Sequence, residues 1–305
     1  PDGAPVPAQF TVMSVWPDRS LKWLGVDFQA VCPANAHVFY KLEAGGAAAA
    51  AAGPDLITEF DDRFELNTGA LLLRLSKTES VGPGDVYLDR NGDGRFDEAE
   101  KVMPAARPGD AWWTDGTNGQ FTLHLRGEPV DGRAPGVWIE RNGPLAAALR
   151  LQGWYLDKEG RRTAIGEMRF EAKRGKPGFT IWHRVTYAAD PWRDTLKGYG
   201  LKLRLMPGVY DKATVALDGG QFETSAGTID LQQKGVDTAD LRADGKLVAQ
   251  GRRASGALAL EGTGGSALLY PLNLWQMHPK RMTADLKQGE VTVHYWPADA
   301  GIHSF

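Results

Sequence analysis

The feature that most constrains this chain is an alternation of apolar and polar residues with period two, repeated in run after run. In Glu167–Lys173, Met168, Phe170 and Ala172 share one face while Arg169, Glu171 and Lys173 take the other. Phe179, Ile181, Val185 and Tyr187 alternate with Thr180, Arg184 and Thr186, and over Leu201–Leu205 leucines alternate with Lys202 and Arg204. Successive side chains of a strand point to opposite sides, so this pattern suits antiparallel sheets with one buried and one wet face. A long amphipathic helix needs apolar residues three and four apart, and no segment supplies them. The chain is therefore read as all-β. Further strands are predicted over Phe10–Trp16, Leu21–Gln29, His37–Leu42, Ala70–Leu75, Val86–Leu88, Phe121–Leu125, Val137–Glu140, Ala146–Tyr155, Thr214–Leu217, Ala267–Tyr270 and Val291–Trp296. Asp157-Lys158-Glu159-Gly160 reads as a hairpin turn, and 37 glycines and 18 prolines punctuate the runs as turns would.

The low-complexity stretch Ala44–Gly53 interrupts this pattern. It reads as a linker or exposed loop, with a short helix as the alternative, since six alanines favour a helix but flanking glycines and Pro54 limit it. The strand pattern restarts beyond it, which puts a boundary within 44–62. The expected architecture is a small N-terminal barrel-like β domain over 1–60, followed by a large antiparallel β-sandwich over 61–305. Thr224–Gly251 is polar and yields no assignment.

A net charge of −3 with mixed signs gives no electrostatic reason to expect nucleic acid or an anionic membrane as partner. One cysteine, Cys32, excludes an internal disulfide and a cysteine-based zinc site. No apolar run is long enough to span a bilayer as a helix. The start, Pro1-Asp2-Gly3-Ala4-Pro5, lacks a Met and is not a signal peptide, so the chain is expected to be processed or to start partway into a longer protein.

The sharpest local motif is Asp89–Glu100, which fits D-x-[DN]-x-[DN]-G-x₅-E. Asp89, Asn91 and Asp93 occupy positions 1, 3 and 5, where side-chain oxygens converge on a hard cation. Gly94 stands at the sharp turn, Arg95 would offer its backbone carbonyl, Asp97 a water-mediated contact and Glu100 a bidentate carboxylate. The expectation is a structural Ca2+ ion pinning a loop; the alternative is a polar Asx-rich hairpin that binds nothing. The flanking residues do not read as helices, so a helix–loop–helix switch is excluded.

No phosphate loop, dinucleotide fingerprint, nucleophile elbow or HExxH motif is present. His124, His183 and His294 lie within strand patterns and read as packed or surface histidines. His278, in Leu274-Trp275-Gln276-Met277-His278-Pro279-Lys280-Arg281, sits among aromatic and cationic groups. Those groups could stack on a sugar, move a proton and neutralise a carboxylate, or could form an ordinary surface loop.

The phrase Val15-Trp16-Pro17-Asp18-Arg19-Ser20-Leu21-Lys22-Trp23-Leu24, preceded by Val6-Pro7-Ala8-Gln9, resembles the front of the exo-acting rhamnogalacturonan lyase-like family of polysaccharide lyases. Thr68-Gly69-Ala70-Leu71, Gly143-Pro144-Leu145, Leu274–Lys280 and Tyr295-Trp296-Pro297 follow in the expected order. Arg19 stands where the family usually has glycine, the family's first strand is absent or short, and the family's helical (α/α) toroid does not follow before Phe305. The resemblance implies a barrel-like domain, a central β-sandwich and, in the whole protein, β-elimination at a uronic acid. It implies a polysaccharide or oligosaccharide partner, a missing helical toroid as a second partner, and an extracellular or periplasmic location. It assigns no catalytic position. The candidates on residue chemistry are His278, Lys280 and Arg281 for catalysis, and Trp275 and Trp23 for stacking on sugar. Two other readings stay open: a non-catalytic carbohydrate-binding or scaffold protein, and a small lyase complete in itself with its cleft on a concave sheet.

Overall fold

The computed structural model describes residues 4–301 apart from 44, 46–49, 189, 191–194, 219 and 264. The protein is all-β, with twenty-three strands and two short 3₁₀ turns among the described residues. Strands β1 (Ala8–Val15) and β2 (Leu21–Phe28) form an isolated antiparallel hairpin. Its turn holds Arg19 at φ +68, a left-handed conformation that glycine adopts without strain. Asp18 secures that turn by accepting hydrogen bonds from the Ser20 backbone N–H (2.9 Å) and hydroxyl (2.6 Å).

β3 (Ile57–Glu59), β4 (Arg63–Asn67), β5 (Leu71–Ser76), β6 (Asp85–Leu88) and β7 (Lys101–Met103) make a five-stranded sheet in chain order. β3 thus lies within the span read as the N-terminal domain but pairs with the sandwich. The described part of residues 4–43 consists of the hairpin and an extended tail, and His37–Leu42 forms no strand. Half of the predicted alanine-rich linker, residues 44 and 46–49, falls outside the described residues; Ala50, within it, bridges to Ala8.

β8 (Ala111–Asp115), β9 (Gln120–His124), β10 (Gly136–Arg141), β11 (Ala146–Leu156), β12 (Arg162–Lys173), β13 (Phe179–Tyr187) and β14 (Leu196–Arg204) begin the dominant sheet. β15 (Lys212–Leu217) and β16 (Gly220–Thr224) leave it for a second layer. β17 (Thr228–Gly235), β18 (Thr238–Ala243) and β19 (Lys246–Gly251) rejoin it, resolving the polar stretch as three strands. β20 (Ala254–Gly262) and β21 (Gly265–Leu269) complete the second layer, and β22 (Lys280–Asp285) and β23 (Glu290–Trp296) close the dominant sheet. The long sheet runs β13-β12-β11-β9-β8-β14-β23-β22-β17-β18-β19, with β10 on β11. The smaller one runs β16-β15-β20-β21. The predicted turn at Asp157 is present, with Asp157 N–H bonded to the Arg161 carbonyl at 3.1 Å.

Two cores lie along this one long sheet. In the first, Phe64, Leu66, Leu73 and Leu75 of the five-stranded sheet pack against Phe121, Leu123, Leu149 and Leu151. In the second, Val215, Leu258 and Leu260 pack against Leu231, Leu241 and Met282. The N-terminal hairpin is fastened to the sandwich by polar contacts. Buried Gln9 accepts from the N–H groups of Leu145 (2.9 Å) and Ala146 (3.0 Å) and donates to the Ala146 carbonyl (2.9 Å). Gly143 makes room for it, since a Cβ there would lie 2.4 Å from the amide carbon. Arg141 adds an ion pair to Asp27 at 2.8 Å. No helix among the described residues is long and apolar enough to cross a membrane.

Because Leu73 and Leu260 are each completely buried in separate cores, Leu73→Ala and Leu260→Ala should each destabilise the protein by about 2–5 kcal/mol in urea unfolding. A loss well under 1 kcal/mol at either position would contradict this core assignment.

Candidate functional site

The long sheet curls over its own inner face. β13 and β23 stand six places apart in the strand order, yet the rings of His183 and Tyr295 approach edge-on at 5.2 Å. Trp113 of β8 likewise stacks on Tyr187 of β13 at 5.9 Å. Alternation along β13 turns His183 inward with Ile181 and Val185. On β11 the inward set ends in Tyr155, which reaches toward His183 over Gly166 of the intervening β12. A Cβ on Gly166 would come within 2.7 Å of the Tyr155 ring and 2.6 Å of Leu123.

The concave face thereby gathers three tyrosines, a histidine and a lysine. Tyr155 Oη lies 2.9 Å from His183 Nε2. Tyr199 and Tyr295 stack at 5.3 Å, and Lys280 Nζ sits 5.8 Å from the Tyr295 ring centre. Burial favours neutral groups here. It holds the His183 pKa at about 4, so the imidazole is uncharged at neutral pH. Burial raises the Tyr155 hydroxyl, with Tyr295 and Tyr199 adding to the effect, and raises Tyr199 and Tyr295 as well. It pulls the Lys280 ammonium down, because Lys280 is only 6% exposed and no carboxylate pairs with it among the described residues. His183 Nδ1 is buried without a hydrogen-bond partner among the described residues. Where Nε2–H donates to Tyr155, that Nδ1 carries a free lone pair; where Tyr155 donates, Nδ1 carries the proton.

The residues proposed from sequence are divided by this geometry. Lys280 joins the concave cluster. Arg281, the next residue of β22, faces the opposite side, where it makes a bidentate pair with Asp230 at 2.7 and 2.6 Å. His278 is exposed in the preceding turn, with Nδ1 3.2 Å from the Trp275 carbonyl. Arg253 covers the Trp275 ring at 4.3 Å, and Trp23 stands 65% exposed on the N-terminal hairpin. His183, Tyr155, Tyr199 and Tyr295 were not legible as a site, because each reads locally as one more inward residue of a strand. The one signal was a polar ring-bearing residue, His183, on the apolar side of an alternating run.

Residues 89–100 connect β6 to β7. Asp89 Oδ1 accepts from Gly92 N–H (2.7 Å) and Asp93 N–H (3.2 Å), and Oδ2 from Gly94 N–H (3.0 Å). Gly92 and Gly94 both have φ +74, as the sharp turn requires. Asp97 caps the 3₁₀ turn Glu98–Glu100 through the Ala99 N–H, and buried Glu100 accepts from Arg90 N–H at 2.9 Å. The donors are all hard oxygens, which suits Ca2+. Their carboxylates are engaged with backbone N–H groups, and no cluster of three or more possible metal-ligating acids, histidines or cysteines forms among the described residues. Arg95 donates its N–H to Asp93 at 2.8 Å.

Compared with known proteins, the chain matches no protein-family model and no curated protein sequence.

The half-buried His183 gives a signed pH dependence. Above its unfolded value of about 6.5, His183 is neutral in both states and stability is full. As pH falls from there, the unfolded chain binds a proton that the folded site refuses until about pH 4, so stability drops across that window. His294, held near 4 chiefly by burial with Arg281 adding, contributes with the same sign. NMR titration should place His183 near 4 in the native protein, and Gly166→Ala, which pushes the Tyr155 ring aside, should raise it toward 6.5. A native His183 titrating near 6.5 would contradict the packing described.

Proposed function

We propose that this chain is the β portion of a polysaccharide lyase acting on rhamnogalacturonan or a related uronate polymer by β-elimination. The observation that carries the reading is the concave cluster: a neutral histidine against a buried tyrosine, flanked by two further tyrosines and a lysine with no counter-ion among the described residues. β-Elimination needs a base for the proton beside the uronate carboxyl, a cation or donor for the carboxylate as charge develops, and an acid for the leaving oxygen. His183, kept uncharged, would take the proton; Lys280 would face the carboxylate; and Tyr295 or Tyr199 would donate to the leaving oxygen. Tyr155 would act as a positioning residue by fixing the imidazole. In the family that the sequence resembles, a helical toroid completes the cleft, so the substrate wall opposite this face is part of the proposal. An extracellular or periplasmic location belongs to the same reading, since such polymers are met there.

The loop at 89–100 is read as a structural Ca2+ site that would hold the β6–β7 connection through Asp89, Asn91, Asp93, Asp97, Glu100 and the Arg95 carbonyl. What supports this is the oxygen donor set and the turn set by Gly92 and Gly94. The ion would supply rigidity and take no part in the chemistry. Added Ca2+ should raise the melting temperature, with Asp89→Asn and Glu100→Gln abolishing the rise; no rise, and no heat of binding by calorimetry, would refute the site.

The lyase reading is tested by incubating the protein, alone and within any longer natural chain, with rhamnogalacturonan and other uronate polymers and following absorbance of the unsaturated product. Product should form, and His183→Ala should lower its rate by about 10²–10⁴-fold, with Lys280→Met also impaired. Full activity in His183→Ala, or no product from either chain, would overturn the assignment.

A further inference from the structure

β13 carries a second set of side chains on its outer face, away from the concave cluster: Thr180, Trp182, Arg184 and Thr186 alternate with His183 and its neighbours. Register carries this outer face across four strands. Trp138 of β10 pairs with Arg150 of β11, Arg150 with Arg169 of β12, and Arg169 with Trp182 of β13. Three strand spacings separate the two tryptophans, about 14 Å.

The polar groups along this row are already locked. Arg169 bonds Glu140 and Glu171, each at 2.6 Å. Glu167 accepts from Arg150 and, at 2.9 Å, from Arg184. Glu171 also accepts from the Trp182 indole N–H at 3.1 Å, which fixes that ring while leaving Trp182 51% exposed. Arg133 lies 4.5 Å over Trp138 and ends the row.

Nucleic acid would need cations free to neutralise phosphates, and here each guanidinium between the tryptophans has a carboxylate beside it. A protein partner would need a continuous apolar patch, and the two tryptophans are separated by charge. A sugar ring has what fits: a C–H face to lie on an indole and vicinal hydroxyls that donate and accept side by side. Fixed guanidinium–carboxylate pairs meet such hydroxyls with little ordering left to pay.

We propose that the outer face of β10–β13 is a glycan-binding platform, with Trp182 as the stacking ring and Arg150, Arg169 and Glu171 as the hydroxyl-reading groups. The ligand is an extended pyranoside chain crossing the strands over a few sugar rings. This surface is distinct from the concave cluster and does not depend on the lyase reading, because His183 and Trp182 sit on opposite faces of one strand.

The test is affinity electrophoresis of the full chain through gels containing rhamnogalacturonan, polygalacturonate or a neutral galactan. Retardation is expected in at least one gel, with Trp182→Ala weakening it by about tenfold. Retardation by the neutral glycan marks hydroxyl recognition; retardation by uronates alone, relieved by salt, marks carboxylate recognition by Arg150 and Arg169, and either supports the platform. Trp182→Phe, which keeps an aromatic face, should retain most of the effect and serves in place of the alanine variant if that one melts early. Undiminished retardation in Trp182→Ala and in Arg169→Met, or none in any gel, would overturn the proposal.

Discussion

The structure depends on the curl of one long antiparallel sheet. A sheet this wide must bury an apolar face along its length, and twist alone would splay it open. Two smaller sheets cover it in turn, the β3–β7 sheet over one stretch and β15, β16, β20 and β21 over the other. What they cover differs in kind. Leu123, Leu149 and Leu151 are wholly buried, whereas the inward residues of β13 remain only partly covered. There the curl brings β23 and β14 back toward β13, so the cluster of Tyr155, His183, Tyr199 and Tyr295 forms where the core gives way to a concave face.

Polar groups placed at such a margin must be satisfied or neutral. The protein uses both solutions. Gln9 and Gln233 are buried with both the oxygen and the nitrogen of their amides bonded, Gln233 to the Gly235 and Arg252 carbonyls and the Ala254 N–H. His183 is instead kept uncharged, and its Nδ1 goes unpartnered. Lys280 likewise lies against Tyr295 and Met277, with no acid beside it among the described residues. Among the described residues Arg141 Nε, Arg150 Nε and Thr163 Oγ1 are also buried without a partner, so what sets the concave face apart is that a neutral imidazole, a lysine and three tyrosines lie together there.

Much of the fold was legible because period-two alternation is local. Phe179–Tyr187 emerged with the expected bounds, and the Asp157 turn closes the hairpin it was expected to close. The strands over 224–251 were illegible because Gln233 and Ala239 interrupt the apolar inward set of Ile229, Leu231 and Leu241, while Leu247 and Val248 stand exposed. The phrases around Gln9 and Gly143, far apart in sequence, meet through the Gln9 amide, a contact that neither phrase discloses alone. The site was less legible still. Lys280 and Arg281 look equivalent as neighbours in sequence, but a strand sends them to opposite faces, and the residues that join Lys280 come from β11, β13, β14 and β23. Only the curl of the sheet brings them together.

The most direct measurement of the central claim is a histidine-selective NMR titration of the protein with an oligosaccharide containing galacturonate. The account predicts that the ring resonances of His183 move on addition of the sugar while those of His278 stay in place. Movement of His278 with His183 unchanged would return the site to the exposed turn and contradict the concave face as the functional centre.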